Sequence, residues 1–211
     1  MTNVKKPTKA DWNFYQSIKH ILEEGQLSEQ ARPVYKDGST ANSFYTTGYF
    51  QSYDLASGDF PITTLRPIAW KSAIKEMLWI WQDQSNSVEL LRNKYNVTIW
   101  DEWERKDGTI GLAYGYQLGK EYKYFDVLVE NVTKLKKEGK IKNYRLGKNG
   151  EIYMNQVDKL IYDLHFNKDS RRMVVSLWNV EDLNNMALQP CAFLTEWNVT
   201  NGKLNLLLNI R

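Results

Sequence analysis

The 211-residue sequence has one cysteine, two histidines and no long apolar run. A single cysteine excludes a framework of intramolecular disulfides, and two histidines are too few for a zinc site of the usual Cys/His composition. Its aliphatic stretches are interrupted by Lys, Glu or Gln, and none approaches the roughly 18 residues that cross a bilayer. Residues 1–12 also lack the apolar segment of a secretory signal. We therefore expect a cytoplasmic protein with no membrane span and no metal.

An excess of one charge is also missing. The 28 Lys and Arg residues and 25 Asp and Glu residues are interspersed, and the net charge of +3 gives little support to nucleic-acid binding. With 42% hydrophobic residues the chain can bury a sizeable core, and we expect a single domain over 1–211. The Lys-rich segment at about 119–152 is expected to be a peripheral insertion.

Apolar periodicity predicts both helices and strands. Residues 11–24 form an amphipathic pattern that stops at a glycine, and residues 157–166 form a shorter one. Residues 43–53 are rich in Thr, Tyr and Phe, which is typical of a strand or hairpin. Residues 191–211 predict a hairpin with an Asn-Gly type I′ turn. The expected class is α+β, with the strands in one large sheet covered by helices.

Residues 69–82 predict a helix that is apolar nearly all round, and we expect it to be central and buried. Glu76 lies within this helix, where an unpaired carboxylate would be costly. Two interpretations stay open. The carboxylate is satisfied by a nearby Arg or Trp N–H, or it is an acid placed for proton transfer in a cleft.

The stretch GTIGLAYGYQLG at 108–119 is punctuated by glycines. It contains no GxxxxGK[ST] motif and does not follow a strand with GxGxxG spacing, so a phosphate cradle is not indicated. The glycines instead predict a turn and a close approach of two backbone segments.

Two features near the end of the chain point to chemistry. Cys191 directly follows a proline at the head of a predicted strand, although a lone cysteine is most often a small buried apolar residue. Arg171 and Arg172 precede another strand, and both can engage one ligand only if the chain turns there. Phosphate is the natural partner of such a pair, and surface ion pairs with Asp169 or glutamates are the alternative.

Residues 169–197, DSRRMVVSLWNVEDLNNMALQPCAFLTEW, resemble the active-site segment of the thymidylate synthase family in the order and spacing of Arg-Arg, Trp-Asn and Pro-Cys. Residues 60–82, 96–103 and 108–119 resemble that family's helix with the catalytic glutamate, its Trp motif and its tyrosine-bearing loop. The resemblance covers nearly the whole chain except its extreme N-terminus and the Lys-rich insertion. It implies an α+β fold in which a large mixed sheet is covered by helices and one sheet face forms a dimer interface.

The resemblance also implies a reaction. A thymidylate synthase methylates dUMP to dTMP, with 5,10-methylenetetrahydrofolate as one-carbon donor and reductant. Cys191 matches the nucleophile that adds to carbon 6 of the pyrimidine, and the nearby arginines would favour its thiolate. Glu76 matches the glutamate that manages proton transfer through water, and Tyr114 matches the tyrosine that assists proton removal at carbon 5.

Further residues are implied to bind the two substrates. Four arginines match the family's phosphate-binding set: Arg32, Arg171, Arg172 and Arg211. Since the Arg171–Arg172 pair would come from the partner subunit, the resemblance implies a homodimer with shared active sites. Ile99 and Trp100 match residues that pack against the flat rings of the folate.

The sequence departs from the family pattern in three places. Ala192 stands where many members have a histidine, and Leu65 and Ile68 stand where some have Lys and His near the folate tail. In the family, the residues that read the pyrimidine and ribose follow the arginine matched by Arg211, so either the polypeptide is truncated or the sequence stops early. Two alternatives to a thymidylate synthase therefore stay open, a dCMP hydroxymethylase of the same family and a catalytically inactive dimerising fragment.

Overall fold

The computed structural model describes residues 6–29 and 31–211. The chain divides into two compact units, Met1–Trp70 and Lys71–Arg211. The single domain over 1–211 stays a prediction, and each unit is described by itself below.

The first unit is built on helix α1, Lys9–Glu24, which confirms the predicted N-terminal helix. A capping box starts it, because Thr8 and Asp11 each accept a hydrogen bond from the other's backbone N–H. The Asp11 carboxylate also accepts the backbone N–H and the hydroxyl of Thr64, at 2.6 and 2.8 Å. Two short strands pair antiparallel in this unit, β1 (Gln26–Ser28) and β2 (Ser43–Tyr45). The predicted strand over 43–53 is thus only three residues long.

The second unit contains the remaining helices. They are α2 (Trp70–Met77, which begins one residue before the unit), a π-helix (Leu78–Asp83), α3 (Val88–Tyr95), α4 (Gly115–Gly119), α5 (Val129–Lys137) and α6 (Gln156–Phe166). α6 confirms the predicted helix at 157–166. Short 3₁₀ turns lie at Asp101–Trp103 and Leu183–Asn185.

The strands of the second unit form two antiparallel sheets of three strands. One has the order β3-β5-β4, and the other has the order β6-β7-β8. Their bounds are β3 (Glu121–Tyr124), β4 (Arg145–Leu146), β5 (Ile152–Asn155), β6 (Val174–Ser176), β7 (Ala192–Thr200) and β8 (Lys203–Ile210). The α+β class is confirmed, but the prediction of one large mixed sheet is wrong for the described residues. Every pairing there is antiparallel, and helix α6 lies in the chain between the two sheets.

The β7–β8 hairpin confirms the predicted type I′ turn. Asn201 and Gly202 have φ values of 51° and 74°, the positive values that this turn requires at both central positions. The turn sets a register in which Thr200 faces Lys203 and Ala192 faces Ile210. Arg211 is thereby returned to the start of β7, beside Cys191.

Two apolar clusters stabilise the second unit, and full burial of one large side chain contributes roughly 1.5–3 kcal/mol. The first core includes Trp79, Leu91, Trp100, Ile110, Tyr114, Leu118, Met173 and Val175. The second core includes Val127, Val132, Leu135, Ile141, Ile152, Met154 and Tyr162. The Lys-rich segment at 119–152 therefore supplies most of a small core of its own, and its role as a peripheral insertion stays a prediction.

The expectation that the helix over 69–82 is central and buried is wrong for its first half, α2. No residue of α2 is buried, and Ile74 and Met77 are 44% and 46% exposed. Burial begins in the π-helix, where Trp79 and Ile80 enter the first core. A helix that is apolar all round is buried only where neighbours lie on every side, and the described residues cover α2 incompletely.

Candidate active site

The loop from Ile110 to α4 brings Tyr114 into the site. A Cβ on Gly115 would lie 2.0 Å from the carbonyl oxygen of Ser85, and one on Gly111 would lie 2.1 Å from that of Asn185. Only glycine permits such contacts, so the predicted close approach of backbone segments is confirmed. Tyr114 itself has φ 44° and ψ −102°, a conformation that a residue with a side chain rarely adopts.

The phenol of Tyr114 contacts the segment that carries the cysteine. Its oxygen accepts the backbone N–H of Cys191 at 3.1 Å, and the residue is 9% exposed. Burial raises the pKa of the Tyr114 phenol, and the hydrogen bond from Cys191 opposes that rise only in part. The phenol is therefore protonated at neutral pH, and its own hydrogen is available to a ligand.

Cys191 is an exposed residue at the head of β7, not a buried apolar one. Arg211 stabilises the chain around it. The Arg211 backbone N–H donates to the Cys191 carbonyl at 3.0 Å, its Nε donates to the carbonyl of Pro190 at 3.0 Å, and its Nη2 donates to that of Gln189 at 3.1 Å. Its guanidinium carbon also lies 5.2 Å from the ring centre of Trp178. The Arg211 guanidinium is thus fixed against the backbone just before the cysteine.

Glu76 lies in the last turn of α2 and is half-buried. Its Oε1 accepts the indole N–H of Trp100 at 2.7 Å, a short charge-assisted hydrogen bond. This is the Trp N–H partner that one interpretation of Glu76 proposed. Trp100 in turn packs edge-on against Tyr114, with ring centres 5.6 Å apart. Glu76, Trp100, Tyr114 and Cys191 thus form one connected chain of contacts.

The other predicted arginines lie elsewhere. Arg171 and Arg172 form an exposed turn just before β6, as their shared use of one ligand requires. Within the described part of the chain neither forms an ion pair, so the ion-pair alternative finds no support there. No hydrogen bond joins either of them to Cys191, Tyr114 or Glu76 across residues 6–29 and 31–211. Arg32 is exposed in the first unit.

The two predicted folate contacts differ in exposure. Ile99 is 66% exposed, whereas Trp100 is 7% exposed and its visible contacts are with Glu76, Tyr114 and Trp79. Among the described residues no group of His, Cys, Asp and Glu could hold a metal ion. No helix found within those residues has the length and apolar character that a membrane span needs.

Sequence reasoning missed the buried polar residues behind the Tyr114 loop. Gln117 is fully buried and donates to Asp182, which also accepts from Lys120 and Asn179. The one available signal was a glutamine inside an otherwise apolar, glycine-punctuated stretch. Nothing in the sequence connects it with an aspartate 65 residues away.

Comparison with known proteins identifies the family. A family model described as thymidylate synthase matches residues 12–211. The thymidylate synthases of Streptococcus pneumoniae (strain 70585) and Streptococcus sanguinis (strain SK36) are each 46% identical over 194 residues, which is 91% of this chain. The chain spans 58% of the length of these relatives. The solved structure of thermostable thymidylate synthase A from Bacillus subtilis matches with a TM-score of 0.72 and 36% identity, over 96% of this chain and 64% of that one. Since the family model covers nearly all of the sequence, this chain belongs to the thymidylate synthase family.

Proposed function

We propose that this chain carries the catalytic half of an enzyme that methylates dUMP to dTMP with 5,10-methylenetetrahydrofolate. One observation carries the proposal. The only cysteine is exposed at the head of β7, and its backbone is held by the protonated Tyr114 phenol on one side and by Arg211 on the other. The chain spans 58% of the length of its curated relatives, and its activity and its substrates are therefore part of what we propose.

Cys191 is the proposed nucleophile. Carbon 5 of uracil is a poor nucleophile, and addition of the thiolate sulfur at carbon 6 converts the ring into an enolate that attacks the methylene group of the folate. Arg211 holds the backbone of residues 189–191 by three hydrogen bonds, which fixes the position from which the sulfur would attack. When the methyl group is complete, the sulfur–carbon bond breaks and the thiolate is restored.

Tyr114 and Glu76 are the proposed proton-transfer groups. Loss of the carbon 5 proton must follow carbon–carbon bond formation, and the Tyr114 oxygen lies directly beside the nucleophile's backbone. Glu76 has one oxygen fixed by Trp100, and Oε2 accepts no hydrogen bond from the residues that the structure describes. That second oxygen is suited to holding a water that moves protons to and from the pyrimidine.

The phosphate of dUMP is assigned to arginines. Arg211 has two of its guanidinium nitrogens occupied by carbonyls, which leaves Nη1 to face an anion. Arg32 and the Arg171–Arg172 pair complete the proposed set, the pair acting on the partner subunit's nucleotide. The proposed homodimer uses the β6-β7-β8 sheet, on which Leu206, Leu208 and Ile210 are 51%, 45% and 66% exposed.

The folate is assigned to the surface at Ile99 and Trp100. Ile99 offers an exposed apolar side chain, and the neighbouring Trp100 is buried and donates its indole N–H to Glu76. The folate supplies the one-carbon unit and the hydride, and no metal is needed. The proposed compartment is the cytoplasm.

The test is formation of dihydrofolate from dUMP and methylenetetrahydrofolate, followed spectrophotometrically. Two samples are compared, this chain and this chain extended by the C-terminal part of the S. pneumoniae relative. We expect the extended protein to turn over and its Cys191→Ser variant to be inactive. If the extended protein folds as a dimer and still forms no dTMP, or if the serine variant turns over normally, the proposed function is wrong.

A further inference from the structure

The backbone of Tyr114 is held in a costly conformation. With φ 44° and ψ −102° its side chain crowds its own backbone, and such residues persist only where the surroundings impose the conformation. Residues of this kind cluster at functional sites, where a strained backbone aims one side chain at one place. The groups that impose the strain on Tyr114 can be identified from its neighbours.

Gln117 closes the loop around Tyr114. Its side chain is fully buried, and its Nε2 donates to the carbonyl of Leu112 at 2.7 Å. Leu112 lies two residues before Tyr114 and Gln117 lies three residues after it, so this hydrogen bond spans the strained residue. Gly115 packs directly on the backbone of Ser85, so the loop has no room for even a methyl group there.

Asp182 fixes the orientation of the Gln117 amide. Nε2 also donates to Asp182 Oδ2 at 2.8 Å, and with two oxygens as neighbours this end of the amide must be the NH₂ group. The hydrogen bond from Gln117, followed by that from Lys120, holds the pKa of Asp182 below its usual value. Asp182 is therefore an ionised acceptor at neutral pH.

The same groups connect the loop to the segment that carries the nucleophile. Asp182 accepts from Asn179 Nδ2 at 2.8 Å, and both residues lie between β6 and Cys191. The backbone adds two bonds between these segments, from Leu112 N–H to the Asn185 carbonyl and from Ala187 N–H to the Ile110 carbonyl, each 3.0 Å long. Loop and segment are thus joined by several short bonds.

We propose that Gln117 is a positioning residue, which together with Asp182 maintains the strained backbone of Tyr114 and so holds its phenol on the Cys191 backbone. The catalytic consequence rests on the proposed function, whereas the geometric one does not. Gln117 touches no reacting atom, because its side chain is fully buried and its partners are Leu112, Asp182 and Asn179.

The test uses Gln117→Met in this chain, a change that keeps length and volume but removes the donors. The readout is amide hydrogen exchange of Cys191 by NMR, with Val132 in the second core as the reference amide, because it bonds to the Leu128 carbonyl. We expect exchange at Cys191 to accelerate by about tenfold with little change at Val132. Equal acceleration at both amides, or none at Cys191, would overturn the proposal.

Two further variants keep the test decisive. Tyr162→Phe removes a buried hydroxyl that accepts the Leu128 N–H in the second core, and it should destabilise without selective effect at Cys191. If the Gln117→Met protein does not fold, Asp182→Asn is used instead. This change removes the ionised acceptor at constant shape, and we expect it to accelerate exchange at the Cys191 amide selectively as well. An Asp182→Asn variant with unchanged Cys191 exchange contradicts the proposal.

A kinetic readout separates positioning from catalysis in the extended protein. Gln117→Met should lower kcat by about tenfold or more while KM for dUMP changes by less than about threefold, since the phosphate contacts are untouched. In a Tyr114→Phe background it should cause no further loss. If the unaltered extended protein is inactive, the proposed function fails, and the exchange measurement still decides the role of Gln117.

Discussion

Replacing Trp100 by phenylalanine tests the contact on which the placement of Glu76 depends. The change removes the indole N–H that donates to Glu76 Oε1 at 2.7 Å and keeps an aromatic ring near Tyr114 and Trp79. A hydrogen bond to a charged group contributes about 1.5–3 kcal/mol, and solvent access to the half-buried Glu76 lowers that to about 1–2 kcal/mol. The smaller ring also leaves a cavity, which lowers the free energy of unfolding by about 1 kcal/mol more.

A double-mutant cycle separates these two contributions. Glu76→Met removes the acceptor, and the coupling between the two changes should be about 1–2 kcal/mol. Unfolding by denaturant is followed by tryptophan fluorescence, because six of the eight tryptophans belong to the unit Lys71–Arg211. Trp103→Phe is the matched control, since Trp103 is 42% exposed, and it should change the free energy of unfolding by less than about 0.5 kcal/mol.

The same cycle has a functional readout in the extended protein. Release of Glu76 from Trp100 should lower kcat more than it raises KM, because the proposed proton-transfer group loses its orientation. A coupling energy below about 0.3 kcal/mol would refute the reasoning, since sites that do not interact are additive to within that error. Glu76 would then be held by something other than Trp100.

Three further outcomes are expected. The hydrogen bonds from Thr8 and Thr64 lower the pKa of Asp11 from 3.8 to about 2. Their stabilisation of the first unit is therefore complete above about pH 4 and is lost as the pH falls through about 2. Thermal unfolding measured from pH 5 to 2 should show this loss of stability, and in an Asp11→Asn variant this pH dependence should disappear. Cys191→Ser should abolish methyl transfer in the extended protein and leave its melting temperature within a few degrees. A variant lacking Arg171 and Arg172 should regain activity when mixed with a Cys191→Ser variant, because the heterodimer has one complete site; heterodimers without activity would place the arginines in their own subunit's site.

The elements that sequence reasoning predicted correctly are those determined by local chemistry. Helix α1 begins at a capping box and ends at Gly25, and α6 has an uninterrupted apolar stripe. The β7–β8 turn follows from Asn201 and Gly202, which accept positive φ values. In each case the determining residues lie within a few positions of the element.

Burial of α2 was predicted wrongly because it depends on neighbours. The apolar pattern of residues 69–82 is real, yet only Trp79, Ile80 and Trp81 meet the first core. The shift from α-helix to π-helix after Met77 rotates the following side chains, and nothing in the residue types announces it. Composition states how much apolar surface a helix has, and it does not state which part is covered.

The candidate site shows the same limit at closer range. Cys191 and Glu76 were singled out from the residues and Tyr114 from the family resemblance, but their partners lie 24 to 77 positions away, as with Trp100 and Glu76 or Cys191 and Tyr114. A tyrosine between alanine and glycine has no local reason to adopt a positive φ, and only the contacts of its loop impose one. Sequence reasoning can therefore propose the groups that react, whereas a buried amide such as Gln117 becomes visible only when its acceptors are in place. For that reason the Gln117 and Trp100 variants test what the structure adds to the sequence, and Cys191→Ser tests what the sequence already implied.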